Sequence, residues 1–349
     1  MKKSSKESIM LARHISIFLD GYAPAHLTTS SNTLKSYRMA VTLYITFLED
    51  KENISCHTLS KKCFERSGIE KWMDWLKEDR GCSNATCNIR LGALRAFLGY
   101  LGRQSPEYLY LAQEASHIPL RKTTKKKVNG LTKEAVKTLL ETPDPTVRSG
   151  KQYLTMMVIL YGTAARIDEV LSLRMEHVHL DGGRPYITVI GKGEKIRTLY
   201  LLPRAVSHIR QYIKEFHGTN PVGNAYLFYS RNGGMNKKLT QKAVSKALKK
   251  YAAIAQERCQ DVPLTLSAHQ FRHARATHWL EEGLNIVQIS YLLGHESVET
   301  TMKYLDITNE DKMKALSTLE DENEKKISPK WKEKGNSLKS FCGLENKKV

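Results

Sequence analysis

Residues 269–304 read HQFRHARATHWLEEGLNIVQISYLLGHESVETTMKY, a helical run, a second helical run closed by Leu292-Leu293-Gly294-His295, and a tyrosine beyond. Ser267 and Gln270 stand three apart, the capping-box spacing that starts a helix with His269 in its first turn and Arg272 one turn on along the same side. Unsatisfied amides and the positive end of the helix dipole point outward at such a start, so this pair is placed to hold an anion. Taken alone, H-x-x-R is also how a surface pair on a basic helix reads. Gly294 takes the position of a left-handed helix C-cap and so fixes where His295 projects. Tyr304 follows nine residues later and is one of 16 tyrosines, most of which should be half-buried structural residues.

Working outward, helical periodicity marks Ala268–Gly283, Ile286–Leu293, about Val298–Leu305, Thr240–Gln256 and Arg204–Phe216. Tyr186–Ile190 and Ile196–Leu202 are β-rich runs flanking Gly191-Lys192-Gly193-Glu194-Lys195, a hairpin signal with a five-residue loop. Leu131-Thr132 opens a further helix, and Tyr153–Tyr161 is apolar enough for a buried one. Residues 121–127, Arg121-Lys122-Thr-Thr-Lys125-Lys126-Lys127, carry five positive charges and no apolar residue, which reads as a linker and a candidate clamp on nucleic-acid backbone. From Ile9 to about Ala115, apolar residues recur at helical spacing (Leu34, Tyr37, Val41, Tyr44, Leu48; Cys87, Leu91, Leu94, Leu98), with Ser31 or Ser83 as N-caps. The expected fold is mainly α with a small antiparallel β-sheet. A helical domain spans 1–118, a basic linker 119–130, a mixed α+β domain 131–320 and a basic tail 321–349.

The 349 residues carry 55 Lys+Arg against 36 Asp+Glu, a formal charge of +19, while a hydrophobic fraction of 41% permits real cores. Such an excess points to a polyanionic partner, because neutralised phosphates release condensed counterions; a basic surface kept for solubility is the blander account. No apolar run is long enough to span a bilayer, and the opening MKKSSKESIMLARH lacks the apolar region of a signal peptide, so a cytoplasmic, non-membrane protein is expected. Six cysteines should stay reduced. Cys56, Cys63, Cys82 and Cys87 with His57 have spacings too wide for zinc knuckles, and the His177/His179 pair lacks carboxylate company, so no metal is expected. The P-loop, dinucleotide fingerprint, H-E-x-x-H and G-x-S-x-G patterns are missing, which removes sequence support for those enzyme classes.

Together, the H-x-x-R, the Leu-Leu-Gly-His turn and Tyr304 resemble the tyrosine recombinases, or phage-type integrases, at that family's intervals. Upstream, Leu160-Tyr-Gly-Thr-Ala-Ala-Arg166-Ile-Asp-Glu169 is similar to the family's first arginine box, although Ala164-Ala165 stand where a glycine is frequent. The 191–195 hairpin resembles the loop bearing the family's catalytic lysine. Residues 30–38, with S-x-N-T-x-x-S-Y-R, resemble its core-binding domain, which makes 131–320 the catalytic one.

The resemblance implies that Arg166, Lys192, His269, Arg272 and His295 surround a scissile phosphate that Tyr304 attacks. Arg166 and Arg272 would clamp the equatorial oxygens, His269 would help deprotonate the phenol, and Lys192 would protonate the leaving 5′-oxygen. His295 would hydrogen-bond the phosphate, and Glu169 would orient a histidine or an arginine from behind. Arg121, Lys122, Lys125, Lys126, Lys127, Lys195 and Arg197 are expected on DNA backbone, and His273 and His278 in helix packing. No cofactor is implied. The partners the resemblance implies are double-stranded DNA and further copies of the chain, a dimer per site and a tetramer in the synapse. A type IB topoisomerase-like enzyme, a catalytically dead DNA-binding protein and a metal-dependent nuclease are the alternatives.

Overall fold

The computed structural model describes residues 5–123, 130–191, 195–295 and 298–302. The chain divides into two compact units, Met1–Lys127 and Val128–Val349.

The first unit is helical: α1 (Lys6–Ile17), α2 (Ser31–Asp50), α3 (Arg66–Glu78), α4 (Asn84–Gln104) and α5 (Leu109–His117). Each helix buries one apolar stripe in a common core. Trp72 of α3 is wholly buried and meets Tyr44 of α2 edge-on at 5.1 Å, while Leu91, Leu94, Leu98 and Leu101 line the inner face of α4. Two details differ from expectation. The N-cap of α2 is Ser30 rather than Ser31, its Oγ accepting from the Thr33 amide at 3.4 Å. Between α1 and α2 the chain runs as a π-helix over Phe18–Leu27, which accommodates Pro24. Ser83 caps α4 as expected, accepting from the Thr86 amide at 3.2 Å.

The second unit begins with α6 (Lys133–Glu141), α7 (Arg148–Thr163) and α8 (Ile167–Leu171). A three-stranded antiparallel sheet follows, β1 (Val178–His179), β2 (Tyr186–Ile190) and β3 (Ile196–Tyr200), in the order β1-β2-β3. Then come α9 (Pro203–Phe216), the β4–β5 hairpin (Tyr229–Ser230 and Gly234–Lys238), α10 (Gln241–Gln256), α11 (Ala268–Glu281), α12 (Ile286–Leu293) and α13 (Val298–Met302). β2 and β3 pair Tyr186 with Tyr200, Val189 with Arg197 and Ile190 with Ile196. Because side chains alternate across a strand, Ile187, Val189 and Leu199 share the face buried in the core, and Arg197 lies on that same face. β3 ends before Pro203, which opens α9 at a position where a missing N–H costs nothing. The sheet, α7 and α11 form the scaffold for the site.

The start of the basic linker is held to its own unit. Asn84 and Asn88 donate their side-chain amides to the carbonyls of Lys122 and Arg121 at 2.7 and 2.9 Å, and the Arg121 guanidinium pairs with Asp74 at 2.6 Å. Arg121, expected on DNA backbone, pins the end of the helical unit through Asp74 in this structure. Lys125, Lys126 and Lys127 lie outside the described residues.

Candidate active site

The start of α11 is built by Ser267, whose backbone N–H donates to Gln270 Oε1 at 2.8 Å, and His269 and Arg272 follow on the first turns. Arg272 is only 1% exposed. Its Nη1 donates to Ala164 O at 2.7 Å, and its Nη2 faces Leu293 O at 2.7 Å and His295 Nε2 at 2.8 Å. A guanidinium can only donate, so Nε2 offers its lone pair there and the His295 proton sits on Nδ1. Nδ1–H then donates to Thr301 Oγ1 at 2.8 Å, and Thr301 is fully buried.

Ala164 closes α7 in the left-handed conformation, with φ 52° and ψ 25°. A Cβ in that region costs about 1 kcal/mol, and burial of the methyl against Ala276, Trp279, Ile289 and Leu293 offsets part of it. The position where a glycine was noted as frequent is thus one that needs positive φ, and alanine fills it.

α12 ends as the sequence implies. Gly294 adopts φ 64°, its N–H donates to Tyr291 O at 3.0 Å, and His295 N–H donates to Ser290 O at 3.1 Å, a complete Schellman turn. The last two carbonyls of the helix are taken by arginines: Leu293 O by Arg272 and Leu292 O by Arg197 Nη1, each at 2.7 Å. Two cations at this helix end also complement its dipole.

The other half of the site is organised by Glu169 on α8. Its side chain is 3% exposed, and its Oε2 accepts from the Arg166 backbone N–H and from Arg197 Nη2, both at 2.7 Å. Its Oε1 accepts from Arg166 Nη1 at 3.1 Å, which leaves Arg166 more open, at 41% exposed. Burial would raise the Glu169 pKa, but the Arg197 guanidinium, the Arg166 amide and the Arg166 guanidinium outweigh it and hold it below the usual carboxylate range. Gly191, at the foot of the β2–β3 hairpin, donates to Lys195 O at 2.8 Å, and its Cα lies so near that an added Cβ would sit 3.5 Å from Glu169 Oε1.

Arg166, Ile167, Asp168, Ala165, Ala268, His269 and Arg272 line a cavity of about 250 Å³. Both histidines at the site are neutral near pH 7. Burial, then His273, Arg272 and Arg166, lower the His269 pKa; burial, then Arg272 and its neighbouring cations, lower that of His295 to about 4. A neutral imidazole and two guanidiniums on one cavity make a place for an anion beside a potential proton acceptor.

Five of the expected site residues, Arg166, Glu169, His269, Arg272 and His295, are thus brought together. Lys192 and Tyr304 lie outside the described residues. Arg197 was expected on DNA backbone; its side chain, 17% exposed, is held by Glu169 and Leu292 O. The signal was in the sequence, since strand alternation places it on the face of buried Leu199. Thr301 was missed, and only its proximity in sequence to Tyr304 could have drawn attention to it. His278 packs inward with Nδ1 2.8 Å from Tyr161 OH, and His177 Nδ1 accepts from the Arg174 amide at 3.1 Å. Among the described residues no three His, Cys, Asp or Glu side chains are grouped to hold a metal, and no helix is long and apolar enough to cross a membrane.

Residues 129–311 match the model of the phage integrase family, and residues 25–105 match the phage integrase N-terminal SAM-like domain. The chain belongs to the phage integrase family. Its members of the tyrosine recombinase type are DNA cleaving and rejoining enzymes. Tyrosine recombinase XerD of Listeria monocytogenes is 31% identical over 288 residues, covering 80% of this chain and 89% of that protein. A putative integrase/recombinase of Sinorhizobium fredii, y4rC, is 29% identical over 289 residues, covering 82% and 85%. Among solved structures, the XerH recombinase in a post-cleavage complex with its palindromic difH substrate superposes with a TM-score of 0.68 at 19% identity, covering 92% of this chain and 98% of that one. The Tn1549 transposon integrase with a circular intermediate DNA gives 0.65 at 16% identity, covering 87% and 99%. These likenesses establish a two-domain recombinase fold, mostly helical with small antiparallel sheets.

The low His295 pKa has a measurable consequence for this integrase. From about 6.5 down to about 4 the unfolded chain takes up a proton that the folded imidazole refuses, so this group's stabilisation is full above that window and lost as pH falls through it. Urea denaturation at about pH 7.5 and about pH 5 should show the decline, and His295→Gln should remove the largest single share of it. A pH dependence unchanged by that substitution would mean that His295 is not buried against Arg272 as described.

Proposed function

We propose that this protein is a site-specific DNA recombinase that cuts and rejoins double-stranded DNA through a covalent 3′-phosphotyrosine, serving integration, excision or resolution of a mobile element. The observation that carries the reading is the convergence of Arg166, Arg272 and His269 on one cavity, with His295 bonded to Arg272 at its edge. Phosphoryl transfer asks a protein mainly to position groups and to stabilise charge on the equatorial oxygens, and two guanidiniums offer planar pairs of donors for that.

In this scheme the Tyr304 oxygen attacks phosphorus, and the P–O5′ bond breaks as the O–P bond to tyrosine forms. Neutral His269 takes the phenol proton, and the Lys192 ammonium supplies one to the departing 5′-oxygen. On entry of the phosphate, Arg272 turns donors from His295 to phosphate oxygen, and neutral His295 becomes a phosphate contact in the tautomer that carries its one proton on Nε2, with Nδ1 accepting from the Thr301 hydroxyl. The ester bond stores the energy of the broken linkage, so a 5′-hydroxyl from the same or another strand can reverse the attack. No metal or nucleotide is required.

The Lys-rich surface would hold register on the duplex while helices in the major groove read bases. The protein would act in the cytoplasm, as a dimer on each site and a tetramer in the synapse; a lambda integrase tetramer on a Holliday junction shares the fold, with a TM-score of 0.61. The test is to incubate the protein with sheared source DNA in a chelator, denature, recover protein-linked fragments and sequence their ends. Ends clustering at one or a few sites are expected. Absence of linked DNA, or cleavage that needs a divalent cation, would overturn the proposal; linkage spread without site preference, with relaxation of any supercoiled plasmid, would transfer it to the topoisomerase alternative.

A further inference from the structure

Arg197 is placed where three parts of the site meet. It sits on the inner face of β3, six residues after Gly191 at the foot of the hairpin. One terminal nitrogen, Nη2, donates to Glu169 Oε2 and the other, Nη1, to Leu292 O, both at 2.7 Å. Its stem fills the space over Gly294, where an added Cβ would come within 3.0 Å of Arg197 Cδ and 3.2 Å of its Nε and Nη1. Glu169 in turn holds Arg166 by both its backbone N–H and its guanidinium, while Leu292 and Gly294 belong to the turn that presents His295.

We infer that Arg197 is a positioning residue for strand cleavage: it braces the Glu169–Arg166 pair against the Leu-Leu-Gly-His turn, so that the arginine box and His295 keep one fixed spacing. The inference rests on the recombinase reading of the site. Only a planar fork can perform this task, because the two acceptors are engaged by opposite nitrogens and the buried Glu169 carboxylate needs a cation beside it. The close packing over Gly294 and the two acceptors together hold the fork in place against the turn. Charge alone is insufficient, since an ammonium gathers its three donors on one nitrogen at the end of a flexible stem and cannot hold both acceptors in the fixed geometry of the fork.

Arg197→Lys keeps a cation against Glu169 and so keeps the fold; Arg197→Ala opens a space that guanidinium ion can enter. Three quantities are read for both: affinity for a DNA site, the first-order rate of covalent adduct formation at saturating DNA, and amide hydrogen exchange of residues 166–171 and 286–294. Expected is affinity within about threefold of wild type, an adduct rate lower by about 10- to 100-fold in Arg197→Lys, partial recovery of Arg197→Ala by millimolar guanidinium, and faster exchange in both segments together. An adduct rate within about twofold of wild type overturns the inference, whatever the exchange does. So does a slower rate with unchanged exchange, which would make Arg197 a direct DNA contact. Wild-type protein that forms no adduct removes the recombinase reading itself, and the exchange data then decide separately whether the brace exists.

Discussion

Tyr304→Phe is expected to lower covalent adduct formation by more than about 10⁴-fold while leaving affinity for the DNA site within about twofold. The substitution removes one hydroxyl and nothing else. Arg166, His269, Arg272 and His295, which would grip the phosphate, and the Lys and Arg excess that would hold the backbone, remain. Binding and chemistry therefore separate cleanly in this variant, which a misfolded protein would not allow. Tyr291 is the natural control, because it is 86% exposed on α12, close in sequence to His295, and its hydroxyl has no part in the scheme. Tyr291→Phe should form adduct at the wild-type rate. Adduct persisting in Tyr304→Phe and lost in another tyrosine variant would reassign the nucleophile.

How much of this was legible in the sequence depended on whether a residue's role follows from local spacing. The cap of α11, the left-handed Gly294 and the hairpin around 191–195 are set by neighbours within a few positions, so turn chemistry and periodicity reveal them. β1 and β4 are two residues long, and all five residues of β5, Gly-Met-Asn-Lys-Lys, are exposed, so no alternation marks them. The π-helical stretch with Pro24 carries the residue that ordinarily ends a helix, and its irregular hydrogen bonds are settled by packing against the first unit's core. The carboxylate partners of Arg121 and Arg197 could not be read from local sequence. A basic residue in a basic protein reads as a phosphate contact, and only tertiary structure supplies the Asp74 and Glu169 carboxylates that engage them. Ala164 reads as a departure from pattern, yet its backbone has the left-handed geometry that the pattern serves.

Arg272→Lys should have the largest effect of any substitution that preserves net charge. In the free protein, Arg272 satisfies Ala164 O and Leu293 O with separate nitrogens and faces His295 Nε2 as well. A lysine gathers its donors on one nitrogen and cannot stand at both guanidinium positions, so one buried carbonyl is expected to lose its partner, at a cost of about 1–3 kcal/mol in stability. The chemical loss is separate and greater. With one half of the clamp reduced to a point charge, transition-state charge on the equatorial oxygens loses a planar pair of donors, and the adduct rate at saturating DNA should fall by about 10²- to 10⁴-fold. Arg166→Lys provides the comparison that divides the two effects. Arg166 is more exposed and its guanidinium engages Glu169, whose carboxylate keeps Arg197 and the Arg166 amide, so stability should barely change while the rate falls over a similar range. Urea denaturation and single-turnover cleavage on the same preparations measure both quantities. A folded Arg272→Lys protein that cleaves at the wild-type rate would mean that this guanidinium only ties α11 to the ends of α7 and α12, and the phosphate clamp would have to be sought elsewhere.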